Sequence, residues 1–247
     1  MKRVMLTVAY DGTAYSGFQV QNNAPTVEGE LNRCLSGLLK EEIRVTGGSR
    51  TDAGVHALCN VAVFDTASRM PAEKICYALN QRLPEDIRVR SSEEVAPDFH
   101  PRHCDSRKTY EYRIVNARFP VPTRRLYAYF TYMPLDIGRM REAASWLVGE
   151  HDFKSFCSAG SQVESTVRTI YSLEVMREPE DGILIRVRGN GFLYHMVRII
   201  AGTLMEAGRG RWEPEHVKEI LAAGDRGCAG PTAPACGLML AAYEFTK

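Results

Sequence analysis

Net charge is nearly absent from this chain. Across 247 residues, 31 Lys and Arg stand against 30 Asp and Glu, a formal charge of +1. Bulk electrostatics therefore do not mark a nucleic-acid binder, and an anionic partner would have to be gripped by local basic clusters. The candidates are Arg102-His103 with Arg107-Lys108, Arg124-Arg125, and Arg209 with Arg211. A cross-linked framework is missing as well. The seven cysteines are odd in number and include no Cys-x-x-Cys pair, which argues against a disulfide-stapled domain and against a zinc ribbon. His100-x-x-His103-Cys104 is the one metal-like cluster and has no second cluster at ligand spacing, so no metal is expected. No charged-then-apolar leader opens the chain, because Met1-Lys2-Arg3 runs straight into strand-like Val4-Met5-Leu6-Thr7-Val8. Cytoplasmic residence is the expectation that fits a leaderless chain with free thiols.

What is present suits a globular protein. A hydrophobic share of 45% with 25% charged residues is enough to build one large core or two small ones. The periodicity predicts a strand over Val4–Tyr10 and a helix from Val27 to Leu39, with Val27, Leu31, Cys34, Leu35 and Leu38 at helical spacing behind the cap Thr26. Strands are predicted over Ile43–Thr46 and Leu58–Thr66, a helix from Pro71 through Leu79, and a strand over Ile87–Val95. The second half repeats the order: strand Thr109–Val115, helix Ile137–Leu147 ended by Gly149, strands Thr166–Met176 and Ile183–Arg188, helices Phe192–Ala207 and Pro214–Leu221, strand Met239–Phe245. Two β-α-β-β-α-β units predict an α+β protein made of a duplicated ferredoxin-like (RRM-like) unit, with a largely antiparallel sheet and a central cleft where a large ligand would go. The boundary falls near Cys104-Asp105-Ser106, giving domains 1–104 and 105–247, with no linker or low-complexity run between them.

The most informative stretch is Gly47-Gly48-Ser49-Arg50-Thr51-Asp52-Ala53-Gly54-Val55-His56-Ala57. Its glycines permit a sharp turn and close approach of another backbone. Asp52 is presented at a strand end, with Arg50 two residues away to favour the ionised carboxylate, and such a group serves as a nucleophile or a base. Residue types alone leave a second reading open, an Asp that merely closes a turn beside a solvated Arg. Further along, Arg198 is the only formally charged residue between Gly189 and Met205. A helix apolar on nearly every side is buried, so Arg198 either needs a carboxylate partner or reaches solvent past Tyr194 and Gly202. Arg198 and His195 also interrupt the stretch too early for a membrane span. Tyr110 alternates with Tyr112 and Ile114 on one strand face, which by pattern is a core face.

These segments resemble the tRNA pseudouridine synthase A family. Gly-x-Arg-Thr-Asp-Ala-Gly-Val-His is similar to its active-site motif. Tyr10-Asp11-Gly12-Thr13-x-Tyr15-x-Gly17-Phe18-Gln19-x-Gln21 is similar to its N-terminal signature, where Trp is more usual than Phe18, and Thr26-Val27-Glu28-Gly29-Glu30-Leu31 to the start of its first helix. Asp98-Phe99-His100-Pro101-Arg102 with Arg107-Lys108-Thr109-Tyr110-Glu111-Tyr112 resembles its central segment, with Pro101 where Ala is usual. Gly191-Phe192-Leu193-x-His195-Met196-Val197-Arg198 and Gly237-Leu238-x-Leu240 resemble the C-terminal pair.

The resemblance implies an isomerase that turns uridine into pseudouridine in the tRNA anticodon arm, at positions 38, 39 and 40, without cofactor or metal, as a homodimer. It implies Asp52 as the catalytic residue with Arg198 as its ion-pair partner, and Tyr110 stacked on the target base. Arg50 would assist base flipping, and Gln19, Arg102, Arg107, Lys108 and Leu238 would contact substrate. Asp52 then attacks C1′, attacks C6, or assists proton removal from C2′, and the sequence does not choose among these. Two other classes fare worse on the residues present. A non-catalytic RNA-binding module would carry an aromatic Lys/Arg-Gly-Phe-Gly-Phe run, which is absent, and an aspartic protease needs two Asp-Thr/Ser-Gly sites, whereas Thr51-Asp52-Ala53-Gly54 occurs once and in another order.

Overall fold

The computed structural model describes residues 1–160 and 163–246. The chain forms two compact units, one of residues 1–106 with the C-terminal strand from Leu240 onward, the other of Arg107–Met239. The division falls two residues beyond the expected boundary, and the last strand, expected with the second half, packs with the first.

In the first unit, β1 (Lys2–Tyr10) leads through a long loop to α1 (Val27–Leu39), β2 (Thr46–Gly47), β3 (His56–Thr66), α2 (Ala72–Asn80) and β4 (Ile87–Val95). β1 is central and antiparallel to both β3 and β4, with Val4 opposite Phe64 and Glu94. Val4, Leu6, Val8 and Tyr10 point to one buried face, the period-two pattern of a sheet covered on that side. Both ends of α1 fall where the sequence predicts. Thr26 caps it by accepting the Gly29 N–H, and Lys40 ends it in the left-handed region at φ 60°.

The strand expected over Ile43–Thr46 shrinks to Thr46–Gly47. Ile43 and Val45 are buried as a strand would bury them, but their backbone donors are taken by α1 side chains. Ile43 N–H donates to Ser36 Oγ at 2.9 Å, and Val45 N–H to Asn32 Oδ1 at 2.8 Å. Side chains have replaced the ladder.

The second unit runs β5 (Ser106–Asn116), β6 (Tyr129–Thr131), α3 (Ile137–Ser145), β7 (Gly149–Asp152), β8 (Val167–Glu178), β9 (Gly182–Gly189), α4 (Met196–Gly208) and α5 (His216–Ala223). Its sheet order is β5-β9-β8-β7, antiparallel throughout, with short β6 parallel to the end of β5. β10 (Leu238–Phe245) closes the chain and lies against β3.

β6 and β7, at three and four residues, are too short to carry a legible alternation. α4 begins four residues later than expected because His195 is left-handed at φ 62° and breaks the approach to the helix. Apart from Arg198, every residue of α4 is buried, as its unbroken apolar composition requires. Among the described residues no helix is long and apolar enough to cross a membrane.

Candidate active site

The Asp52 loop is held from several sides within the first unit. Gly48 N–H donates to Val61 O at 2.7 Å, continuing the contact of β2 with β3. Thr51 O accepts from Phe18 N–H at 3.0 Å, Gly54 N–H donates to Tyr15 O at 3.2 Å, and Val55 N–H closes the turn on Asp52 O at 3.1 Å. The Tyr15–Phe18 segment is thus the cradle of the Asp52 loop. Its glycines are there for contact: a Cβ on Gly12 would lie 2.0 Å from Val55 O. Gly17 combines a φ of +93° with an approach of 2.7 Å to Thr51 O, which L side chains cannot match. Phe18, at the position where Trp is more usual, is buried, and its ring covers Gly47 so closely that a Cβ there would meet Cε1 at 2.2 Å.

Asp52 is half-buried and Arg50 exposed, on a turn whose backbone is fixed on both sides of Asp52. Beneath it, Tyr10, Thr51 and Asn60 form a buried hydrogen-bonded group. None of the three was singled out from the sequence for chemistry; the cue available was Asn60, a polar residue inside an otherwise apolar strand. Beside the same loop, His56 is buried with its Nδ1 3.1 Å from both the Gly12 amide and Asp11 Oδ1. Gln19 is exposed, and its loop is tied down by Val20 N–H on Glu28 Oε2 at 2.8 Å and by Gln21 Nε2 on Ser16 O at 2.7 Å. Arg102 is exposed in the turn after β4. At the metal-like cluster, the His100 and His103 rings stack at 4.0 Å. Burial and the neighbouring His103 push the His100 pKa below its usual value.

In the second unit Tyr110 sits in β5 opposite Val187, and only 8% of it is exposed. The edge of one ring meets the face of the other between Tyr110 and Phe192, centroids 5.2 Å apart, so a residue of the loop leading into α4 helps to orient the tyrosine. Arg198 lies on the buried helix α4 and is itself half-buried, and its Nε donates to Ala233 O at 2.7 Å. Ala233 N–H returns a bond to Arg198 O at 3.1 Å.

The segment after α5 is thereby strapped to α4. Gly202 allows this, since a Cβ there would fall 1.8 Å from Pro231 O. The Arg198 charge acts on its neighbours, opposing the burial that raises the Tyr112 phenol and the Cys236 thiol above their usual ranges. Leu238, just past them, is buried. Lys108 is half-buried on β5, and Arg107 is exposed with its guanidinium 5.2 Å from the Tyr171 ring centre, a cation–π contact.

The first unit thus holds a fixed, glycine-bracketed carboxylate loop, and the second holds an aromatic ring oriented by its neighbour. Comparison with known proteins specifies the class. A family model described as tRNA pseudouridine synthase matches residues 6–103 and 143–246, spans that include Asp52 and Arg198 but not Tyr110. The tRNA pseudouridine synthase A of Brevibacillus brevis is 50% identical over 240 residues, covering 97% of this chain and 98% of that protein. The protein of the same description from Thermoanaerobacter sp. is 48% identical with the same coverage. A solved structure of an H/ACA RNP bound to a substrate RNA containing 2′-deoxyuridine matches 82% of this chain and 43% of its own, at 13% identity and a TM-score of 0.38, a likeness too loose to carry an argument. The chain belongs to the tRNA pseudouridine synthase family, and its activity is that of an isomerase acting on tRNA.

Proposed function

We propose that this chain isomerises uridine to pseudouridine in the anticodon arm of tRNA, at positions 38, 39 and 40, with Asp52 as the catalytic carboxylate. The N1–C1′ bond breaks, the uracil turns while held, and C5 bonds to C1′. The hydrogen on C5 leaves as a proton and N1 takes one up, so atoms and electrons balance with no oxidant or added group. Attack on C1′, attack on C6 and assistance at C2′ all use the same anionic oxygen, and the proposal is common to the three. The observation that carries it is the fixing of the Gly48–Gly54 backbone by Val61, Phe18 and Tyr15, which presents Asp52 preorganised instead of on a mobile turn.

In this reading Arg198 pairs with Asp52 and keeps it ionised, and Tyr110 stacks on the flipped uracil. Leu238 contacts the base, Arg50 assists flipping, and Gln19, Arg102, Arg107 and Lys108 meet the RNA backbone. Each half is read as a ferredoxin-like unit bordering an RNA cleft. The antiparallel orders β4-β1-β3-β2 and β5-β9-β8, each with two helices between strands, support this. Homodimerisation and a cytoplasmic location belong to the same proposal.

The test is tritium release from tRNA carrying 5-tritiated uridine, followed by mapping of the modified positions. Release matched by pseudouridine at positions 38 to 40, and lost in Asp52→Asn while RNA affinity stays within about threefold, is the expected result. Release at the wild-type rate from Asp52→Asn overturns the role of Asp52, and modification at other positions overturns the target.

A further inference from the structure

Asn60 is an anomaly of the core. It is wholly buried in β3, where its neighbours Val61, Ala62, Val63 and Phe64 are apolar and also buried. A buried amide is tolerated only when its hydrogen-bonding positions are filled, and here all four are. Oδ1 accepts from Ser49 N–H at 3.2 Å and Val61 N–H at 2.9 Å, while Nδ2 donates to Ser49 O at 2.9 Å and to the Tyr10 hydroxyl at 3.0 Å. The two backbone N–H donors define which end of the amide is oxygen.

The Tyr10 oxygen receives a hydrogen from Asn60 and shares a second hydrogen bond with Thr51 Oγ1, 2.7 Å away. The chain of hydrogen bonds therefore runs from Asn60 through Tyr10 to Thr51, the residue immediately before Asp52. Thr51 is held at its other end by Phe18 N–H on its carbonyl. Desolvation raises the Tyr10 phenol above its usual range.

We propose that Asn60, Tyr10 and Thr51 form a positioning relay that sets the backbone and carboxylate of Asp52. The inference rests on Asp52 being the catalytic carboxylate, as proposed above. An apolar residue at position 60 would fill the strand as well; what it would not do is grip Ser49 on both its amide and its carbonyl and aim Tyr10 at Thr51. The relay touches no substrate atom. Its effect is on where the carboxylate sits, so its loss should slow the chemical step more than it weakens RNA binding.

The experiment uses Tyr10→Phe and Thr51→Val, which keep shape and remove one hydroxyl each, with Thr51→Ser, which restores it. Tritium release from tRNA at saturating and limiting RNA gives kcat and KM, and thermal unfolding is followed in parallel. The expected result is a fall in kcat of about 10- to 100-fold in Tyr10→Phe and Thr51→Val, with KM within about threefold of wild type. The double variant should be no slower than the slower single, and Thr51→Ser should recover most of the rate. Wild-type kcat in both single variants, or a Thr51→Ser as slow as Thr51→Val, overturns the relay. Asp52→Asn measured alongside separates the two readings. An inactive Asp52→Asn with fully active relay variants removes the relay and leaves Asp52 standing. An active Asp52→Asn removes the catalytic role on which the relay depends.

Discussion

Gly17 and Thr51 meet backbone to backbone: a Cβ on Gly17 would lie 2.7 Å from the Thr51 carbonyl oxygen, and Gly17 is at φ +93°. The N-terminal loop and the Asp52 loop are consequently one structure, although 34 positions separate these residues in sequence (51 − 17). Gly17→Ala should destabilise the first unit by about 1–3 kcal/mol through strained backbone and displace the Thr51 carbonyl. Urea unfolding measures the first effect and tritium release the second. A variant as stable and as fast as wild type would mean that the two loops do not depend on each other.

Arg198→Met tests a role that the sequence presents more simply than the structure does. A fully buried charge replaced by a thioether would cost the fold little. Arg198 is half-buried and also donates to Ala233 O, so its loss should cost about 1.5–3 kcal/mol for the missing charged hydrogen bond. If Arg198 also orients Asp52, the rate should fall by far more than the small loss of folded protein explains. Normal turnover after correction for folded fraction would confine Arg198 to strapping the 229–234 segment.

Tyr110→Phe and Tyr110→Ala should separate stacking from packing. Phe preserves the edge-to-face contact with Phe192, so stability should hold, and slow turnover would then be due to the hydroxyl alone. Ala opens a cavity at a residue only 8% exposed and should cost about 3 kcal/mol or more, besides roughly 1–3 kcal/mol of base stacking in RNA binding. Binding must be compared on folded protein only. Unchanged RNA affinity in folded Tyr110→Ala would return this tyrosine to the core.

RNA binding should weaken steeply with salt despite a net charge of +1. Arg102 and Arg107 are exposed and Lys108 is half-buried on neighbouring segments of the chain, so a few side chains can carry the phosphate contacts. A slope of log affinity against log salt of about −3 or steeper is expected, and neutralising Arg107 and Lys108 together should make it shallower by about one to two. Arg107 also covers Tyr171, and its replacement by Gln should leave stability nearly unchanged, as exposed cation–π contacts are worth about 0.5–1 kcal/mol. A flat salt response to folded tRNA would count against the phosphate assignments as a group.

Features written in neighbouring residues were legible without coordinates. Thr26 before Val27-Glu28-Gly29 is a complete helix start, and α1 ends at Leu39 as its apolar spacing demands. The alternation of β1 and the glycine-bracketed Asp52 turn are equally local, and the ordered motifs from Tyr10 to Leu240 suffice to place the chain in its family. What the tertiary structure alone decided involves partners distant in the chain. Ile43–Val45 has strand composition, yet Ser36 and Asn32 take its amides. His195 has no local reason to be left-handed; its ring meets Ser158 Oγ at 2.9 Å, and Ser158 N–H bonds to Tyr194 O. Asn60 in an apolar strand looks like an error until Tyr10 and Ser49 are seen to fill its amide. Periodicity and capping are properties of a few consecutive residues, whereas the satisfaction of a buried polar group depends on whatever the fold brings beside it.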